Sequence, residues 1–391
     1  MSPNVRTDFG NLLEHISFEL DPPPEIHRTL NGEYTRLGDF IKEDSKSRFR
    51  ANAEIYPQGS KALGTLNRPV RGTDDFDLDA VYRRDIALGS VTQADLKTST
   101  GDQLREYVRA RRKEGVTKLE LVDGRRCWTL QYDGFHIDVL PALPDRSEPA
   151  AMLAGEPILI TDRRLHHWQA SNPKGFVAWF RTEMKRRITA RSDMMEKAAG
   201  DVDVKQIEDD RVKTPLQVAV QLLKRHRDIH FQESFGEHPI SIIITTLATH
   251  AYQGEIDPYR ALDRIVRDAP SYIERRAGKV IVANPTNPDE NFADKWNEKP
   301  ALARVFLDWL RKVDADIAAA RGQSGMHKVA QSLGGVLGDD VSEGAARRWS
   351  KQVQHQSTTG QLRASAGSAA LGTTGPIAVR KHTFYGEPSE E

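Results

Sequence analysis

Residues 57–82 read PQGSKALGTLNRPVRGTDDFDLDAVY, and the fold turns on how Asp77-Leu78-Asp79 is presented within them. In an extended strand, residues i and i+2 share a face. Phe76, Leu78 and Ala80 then face a core, while Asp77 and Asp79 project together from the other side. Two carboxylates held that close repel unless positive charge sits between them, and a divalent cation is the usual answer. Downstream, Asp138 lies in a second apolar run, GFHIDVLPAL at 134–143, flanked by Ile137 and Val139 as on a neighbouring strand. Three hard oxygen ligands with no Cys or His cluster favour magnesium or manganese over zinc.

A bare Asp-x-Asp carries little information, because Asp201-Val-Asp203 and Asp314-Ala-Asp316 also occur in this chain. The first continues into a charged stretch, and the second lies in a helical pattern where i and i+2 do not share a face. What singles out Asp77 and Asp79 is their apolar strand, the later Asp138, and a Gly59-Ser60 turn upstream. Asp75 and Asp77 have the same spacing, so Asp75 stays open as an alternative to Asp79. The more apolar surroundings favour Asp77 with Asp79. Gly59 removes a side chain that would block close approach of backbone to a phosphate. Ser60 supplies a hydroxyl and an N–H, and Lys61-Ala62-Leu63 can start a helix whose N-terminus favours an anion.

The stretches QGSKALGT, DDFDLDAVY, FHIDVLPALPD, TPLQVAVQLLKRHRDI, HPISIIITTLATHAY and NPTNPDENFADKW follow one another in order. Together they resemble the bacterial cGAS/DncV-like nucleotidyltransferases, a branch of the polymerase-beta-like superfamily, over roughly residues 56 to 296. The resemblance implies an α+β fold, with a mixed-sheet palm packed on a helical second lobe. It also implies Asp77, Asp79 and Asp138 as ligands of two Mg2+ or Mn2+ ions, Gly59 and Ser60 as the phosphate loop, and Lys224 as a contact to the donor triphosphate. Ser241 resembles a position where relatives place a hydroxyl near the nucleotide. Ile242 departs from relatives that carry a base-stacking aromatic there, so the base platform is aliphatic or lies elsewhere. The implied activity is synthesis of a cyclic oligonucleotide second messenger from NTPs, ATP among them, with pyrophosphate release, in anti-phage signalling. Implied partners are a downstream effector reached through the product and an ancillary protein at the C-terminal tail. Two other readings stay open: transfer to another acceptor (an RNA end, a small molecule or a protein), and a non-catalytic regulator with the same fold.

The 391 residues suffice for two lobes, and 56 basic against 56 acidic residues give no global charge that attracts nucleic acid. Cys127 is the only cysteine, which excludes an internal disulfide and a Cys-based zinc module for gripping DNA, so no DNA requirement is expected. With no membrane-length apolar run and no signal-peptide pattern, the expected compartment is the cytoplasm.

Helices are expected at 8–20, 25–44 and about 93–113, and strands near 53–57, 76–82, 117–122, 126–132 and 134–140, with helices dominating after 170. The domains expected are a palm with N-terminal helices (1–165), a helical lobe completing the nucleotide cleft (166–354) and a flexible tail (355–391). The basic run at Arg109–Lys113 reads as a solvated helix end. Lys224-Arg225-His226-Arg227 reads as partly solvated, His166-His167 as structural, and Trp296 as a packing anchor. Lys185, Arg186, Arg187 and Arg191 read equally well as cleft-lining or surface residues.

Overall fold

The computed structural model describes residues 8–43, 53–72, 74–162, 167–199, 213–233, 238–361, 363–364, 371–372 and 377–379. Two helices, α1 (Asp8–Leu20) and α2 (Pro24–Glu43), lead into β1 (Glu54–Pro57), the one-turn α3 (Gly59–Leu63) and β2 (Phe76–Arg83). Then come α4 (Gln93–Lys113), β3 (Glu120–Asp123), β4 (Trp128–Gln131) and β5 (Phe135–Pro144). A short α5 (Glu148–Ala151) precedes β6 (Ile158–Ile160) and β7 (Gln169–Ser171). These seven strands form one mixed sheet, in the order β1-β2-β5-β4-β3, with β6 pairing β5 and β7. The pair β2–β5 is parallel and its other neighbours are antiparallel, as a helical crossover between the two strands requires.

The helical lobe begins with α6 (Pro173–Ala199), α7 (Pro215–His230), α8 (Ser241–Ala251) and α9 (Pro258–Asp268). Two hairpins follow, β8 (Glu274–Arg276) with β9 (Lys279–Ile281) and β10 (Ala283–Asn284) with β11 (Asn287–Asn291). The lobe ends with α10 (Asp294–Glu298), α11 (Ala301–Arg321), α12 (Met326–Leu337) and α13 (Asp339–Thr358). Both α4 and α7 start on a capping box, Thr92 with Asp95 and Thr214 with Gln217, which satisfies first-turn N–H groups.

Among the described residues the two largest of four packed cores divide the molecule, though not quite where residues 165 and 166 would divide it. One joins α2 and α4 to one face of the sheet, through Leu30, Leu37, Leu104 and Tyr107 against Leu78, Ala80 and Ile137. The other joins α6 through α13 and takes in α1, whose Leu12, Leu13, Ile16 and Leu20 are wholly buried there. Thus α1 packs with the helical lobe, because its apolar face meets α7, α9 and α13 rather than the sheet. Gly10 permits the approach: a Cβ there would lie 2.1 Å from the Asp257 carboxylate that caps α9. At the far end, α13 runs to Thr358, past the expected start of the tail. Phe384, Tyr385 and the acidic C-terminus lie outside the described residues.

Candidate active site

Strand register assembles the acidic cluster. In the parallel pair β2–β5, Asp79 stands opposite Asp138, and β4 places Thr129 opposite Asp138 on the far side. Asp79, Asp138 and Thr129 therefore form one row across the sheet. Asp77, His136 and Gln131 form the next row on the same face. Carboxylate oxygens of Asp77, Asp79 and Asp138 lie within 4.8 Å of one another, while Leu78, Ala80, Ile137 and Val139 on the opposite face are buried. Asp75 is held elsewhere, accepting a hydrogen bond from Gln131 Nε2, so the metal-competent group is Asp77, Asp79 and Asp138.

Each acid has a different electrostatic setting. Burial, together with the charges of Asp77 and Asp138, pushes the Asp79 carboxyl up to about 7, against a smaller opposing pull from Lys224 and His136. Such a group binds a cation in place of its proton when one is offered. Asp77 is more exposed and accepts from His136 Nε2 at 3.1 Å, an interaction that raises the imidazole's pKa against the effect of burial. Thr129 Oγ1 donates to Asp138 Oδ1 at 2.5 Å and fixes its orientation. Burial and the Asp138 charge push the neighbouring Cys127 thiol up to about 11, which keeps it neutral beside the carboxylate.

Gly59 closes the site from β1. Its φ is +59°, and a Cβ there would stand 2.3 Å from Asp79 Oδ2. The glycine is thus demanded by the carboxylate as well as by any phosphate. Ser60 follows in α3, whose end is folded back by Thr65 N–H donating to Ser60 O at 2.9 Å. From Asp79 and Gly59 a cleft of about 830 Å³ opens between the lobes, reaching Arg126, Trp168 and Asn172 on one side and Ile240, Ile242 and the β10–β11 hairpin on the other.

Residues 53–141 match the family described as cyclic GMP-AMP synthase DncV-like, nucleotidyltransferase domain. Over 397 residues the chain is 30% identical to a c-di-GMP synthase of Roseivirga ehrenbergii, covering 99% of this chain and all of that protein. The chain belongs to the DncV-like nucleotidyltransferases. It is therefore a nucleotidyltransferase of the class that makes cyclic oligonucleotides. It is also 27% identical to the cyclic dinucleotide synthase CdnG of Bradyrhizobium diazoefficiens, across 96% of this chain and 94% of that protein. The solved structure of CdnG with GTP superposes with a TM-score of 0.68 at 23% identity, covering 88% of this chain and 99% of that one. The Vibrio cholerae cyclic AMP-GMP synthase DncV, solved with a linear intermediate, gives a TM-score of 0.54 at 17% identity, over 77% and 74% of the two chains. These superpositions bear on the fold, which is the expected α+β palm packed on a helical lobe.

In this nucleotidyltransferase, α7 is the element that the sequence reading placed least well. Lys224, Arg225, His226 and Arg227 are all buried rather than solvated. Lys224 Nζ donates to Thr65 O at 2.9 Å, and burial followed by the Arg227 charge pushes its ammonium down to about 8. Its charge is felt at Asp77 and Asp79, so it belongs electrostatically to the site. Around it, polar side chains grip the loop that follows α3. Gln217 donates to Leu63 O, Lys213 to Gly64 O, Gln221 to Leu66 O, and Arg225 to Arg68 O and Pro69 O. His226 accepts from Trp309 Nε1 and pairs with Asp316.

Ser241 opens α8, but its hydroxyl accepts from Arg227 Nη1 at 2.8 Å, and Ile240 and Ile242 beside it line the cleft. The basic end of α4 is also more engaged than expected: Arg111 is buried against Glu33 at 2.7 Å, and Arg112 donates to Leu119 O. Arg186 pairs with Glu183, and Arg187 pairs with Glu183 and donates to Tyr252 O. The Arg191 side chain and His166 lie outside what is described, whereas His167 lines the cleft. Trp296 is buried against Phe306.

The sequence reading missed Thr129, His136, Gln131 and Arg126. The first three carried a signal, since alternation from Asp138 and from the Tyr132-Asp133-Gly134 turn puts them on the acidic face. Arg126 carried none.

Proposed function

We propose that this enzyme joins two GTP molecules into cyclic di-GMP, using Mg2+ or Mn2+ held by Asp77, Asp79 and Asp138. The observation that carries the metal assignment is the acidic triad, whose like charges gather within 4.8 Å and which no lysine or arginine pairs with among the described residues. Guanine as the base follows the c-di-GMP synthase to which this chain is 30% identical along its length. When bound, divalent ions would neutralise phosphate charge and lower the pKa of the acceptor ribose hydroxyl.

The chain's own contribution is positional and electrostatic. Asp79 and Asp138 are fixed by strand pairing, and Thr129 and His136 hold Asp138 and Asp77 in orientation. The Gly59-Ser60 turn packs against the Asp79 carboxylate, and its backbone N–H groups and the Ser60 hydroxyl would serve phosphate oxygens of the donor. Lys224 contributes positive charge from below the loop through its hold on Thr65. A cleft of about 830 Å³ has room for a donor and an acceptor nucleotide together, as each phosphodiester step demands.

The role we propose in cells is anti-phage signalling through a product-sensing effector. The same proposal includes an ancillary partner at the C-terminal tail, on the strength of that segment's Ser/Thr/Gly/Ala composition. The deciding experiment is mass spectrometry of the product formed from all four NTPs with Mg2+. Cyclic di-GMP with pyrophosphate is the expected result. A linear or tailed acceptor product would move the enzyme to another branch of transfer chemistry, and an adenine-only ring would overturn the guanine reading.

A further inference from the structure

Among the charged side chains of the cleft that the metal and phosphate chemistry leaves unused are Glu290 and Arg126. Glu290, on β11, is part-buried, and its Oε2 accepts from Asn284 Nδ2 at 2.8 Å. Among the described residues, Oε1 accepts no hydrogen bond. Arg126, at the β3–β4 turn, donates through Nε to the fully buried Asp162 at 2.8 Å, and Arg125 holds the other oxygen of that carboxylate at 2.7 Å. The Nη nitrogens of Arg126 have no hydrogen bond among the described residues, and 44% of its side chain is exposed. Both residues line the cleft that begins at Asp79 and Gly59. They are near enough for the guanidinium charge to act on Glu290, yet no ion pair joins them. Asn284 and Asp162 thus each fix one end of a divided carboxylate–guanidinium pair.

We propose that Glu290 and Arg126 read guanine, Glu290 accepting from N1–H and the N2 amino group and Arg126 donating to O6 and N7. The assignment rests on the guanine reading above and names the side chains responsible for it. Guanine is the base whose edge fits such a pair. Its two adjacent donors match the two oxygens of one carboxylate, and its O6 and N7 match the fork of one guanidinium. Adenine presents an acceptor at N1 to the carboxylate and a donor amino group in place of O6 to the guanidinium, so both of those contacts turn repulsive, the N2 contact is lost and only N7 still matches. Burial makes the discrimination large, because an unmatched carboxylate in the cleft loses water without gaining a partner. Ile240 and Ile242, at the start of α8, line the same cleft and supply aliphatic surface for the faces of the ring.

The test compares GTP with inosine triphosphate, which lacks only the N2 amino group, in wild type and Glu290→Gln. Binding is measured by titration calorimetry with a divalent cation present, and incorporation by product analysis. The substituted amide keeps an acceptor for Asn284 but no longer offers two acceptor oxygens to the base. The wild type is expected to prefer GTP over inosine triphosphate by about tenfold or more, and the variant by about twofold or less. Arg126→Lys retains charge beside Asp162 while losing the planar fork, and is expected to cut the GTP-over-ATP preference by about tenfold. Melting temperatures serve as the folding check for both variants. A guanine product with an unchanged GTP-to-inosine ratio in Glu290→Gln would overturn this inference and leave the guanine reading standing. A wild type that binds ATP as well as GTP would overturn both.

Discussion

The β2–β5 pair and helix α7 both carry ionisable residues into the centre of the enzyme, and they do so by opposite rules. On the strands, charge is presented outward by alternation: Asp77 and Asp79 share a face because they are two residues apart. On α7, Lys224, Arg225, His226 and Arg227 are consecutive, point in different directions around the helix, and are all buried. Among the described residues no lysine or arginine pairs with the strand acids, which are left for a ligand. Each α7 residue meets a protein partner, several of them backbone carbonyls of residues 63–69. Clustered like charge marks chemistry, whereas scattered charge that is fully partnered marks architecture.

The largest test of that contrast is Asp79→Asn. Losing the ligand is expected to cut nucleotide transfer by about a thousandfold or more. Melting of the metal-free protein at neutral pH should be unchanged or higher, because a repelled charge is gone. Full activity would reassign the role or dissolve the site.

Gly59→Ala comes next. It forces a Cβ to within 2.3 Å of Asp79 Oδ2 at a φ of +59°. A backbone cost of about 1–2 kcal/mol is expected. Displacement of the carboxylate should lower turnover by about 100-fold. Wild-type kinetics would show that the loop has slack which the packing does not suggest.

On α7 the expectation reverses. Arg225→Met leaves the Leu337, Pro69 and Arg68 carbonyls without a donor and is expected to cost about 3 kcal/mol in urea unfolding. Arg109→Met, at an exposed position of α4, should cost no more than about 0.5 kcal/mol. Equal costs would mean that the buried run behaves as solvated after all.

The smallest effect is a pH slope. The Asp79 pKa of about 7 lies above its ordinary 3.8, so the folded protein holds a proton that the unfolded chain releases. Its stabilising contribution is present below about pH 4 and is lost as pH rises through about 7. The melting-temperature advantage of Asp79→Asn over wild type in EDTA should therefore grow from pH 5 to pH 8. Saturating Mg2+ should abolish it. An advantage that shrinks with pH would contradict the raised pKa.

Many of the elements were legible because their signals are local. The expected helices at 8–20 and 93–113 coincide with α1 and α4, and the strand at 76–82 with β2 to within one residue. Thr129 and His136 could have been reached by extending the same alternation from Asp138. The lobe to which α1 belongs could not, since its amphipathic face would suit either core. The α7 run was misread for a related reason. Long polar side chains beside apolar ones look solvated unless the carbonyls they serve, more than 150 residues away in sequence, are known to be there.

The amino-acid sequence alone determined the strand presentation of Asp77, Asp79 and Asp138, the glycine turn before them and the family to which the pattern belongs. Alternation and backbone permissiveness act over a few residues and need no knowledge of distant partners. Tertiary structure alone decided that Asp75 is diverted to Gln131, that α1 packs with the helical lobe, and that Lys224 lies beneath the loop. It alone brought Arg126 and Glu290 to one cleft. Each of those outcomes depends on which surfaces and which donors and acceptors are brought together across the chain, and desolvation then gives each pairing its energetic weight.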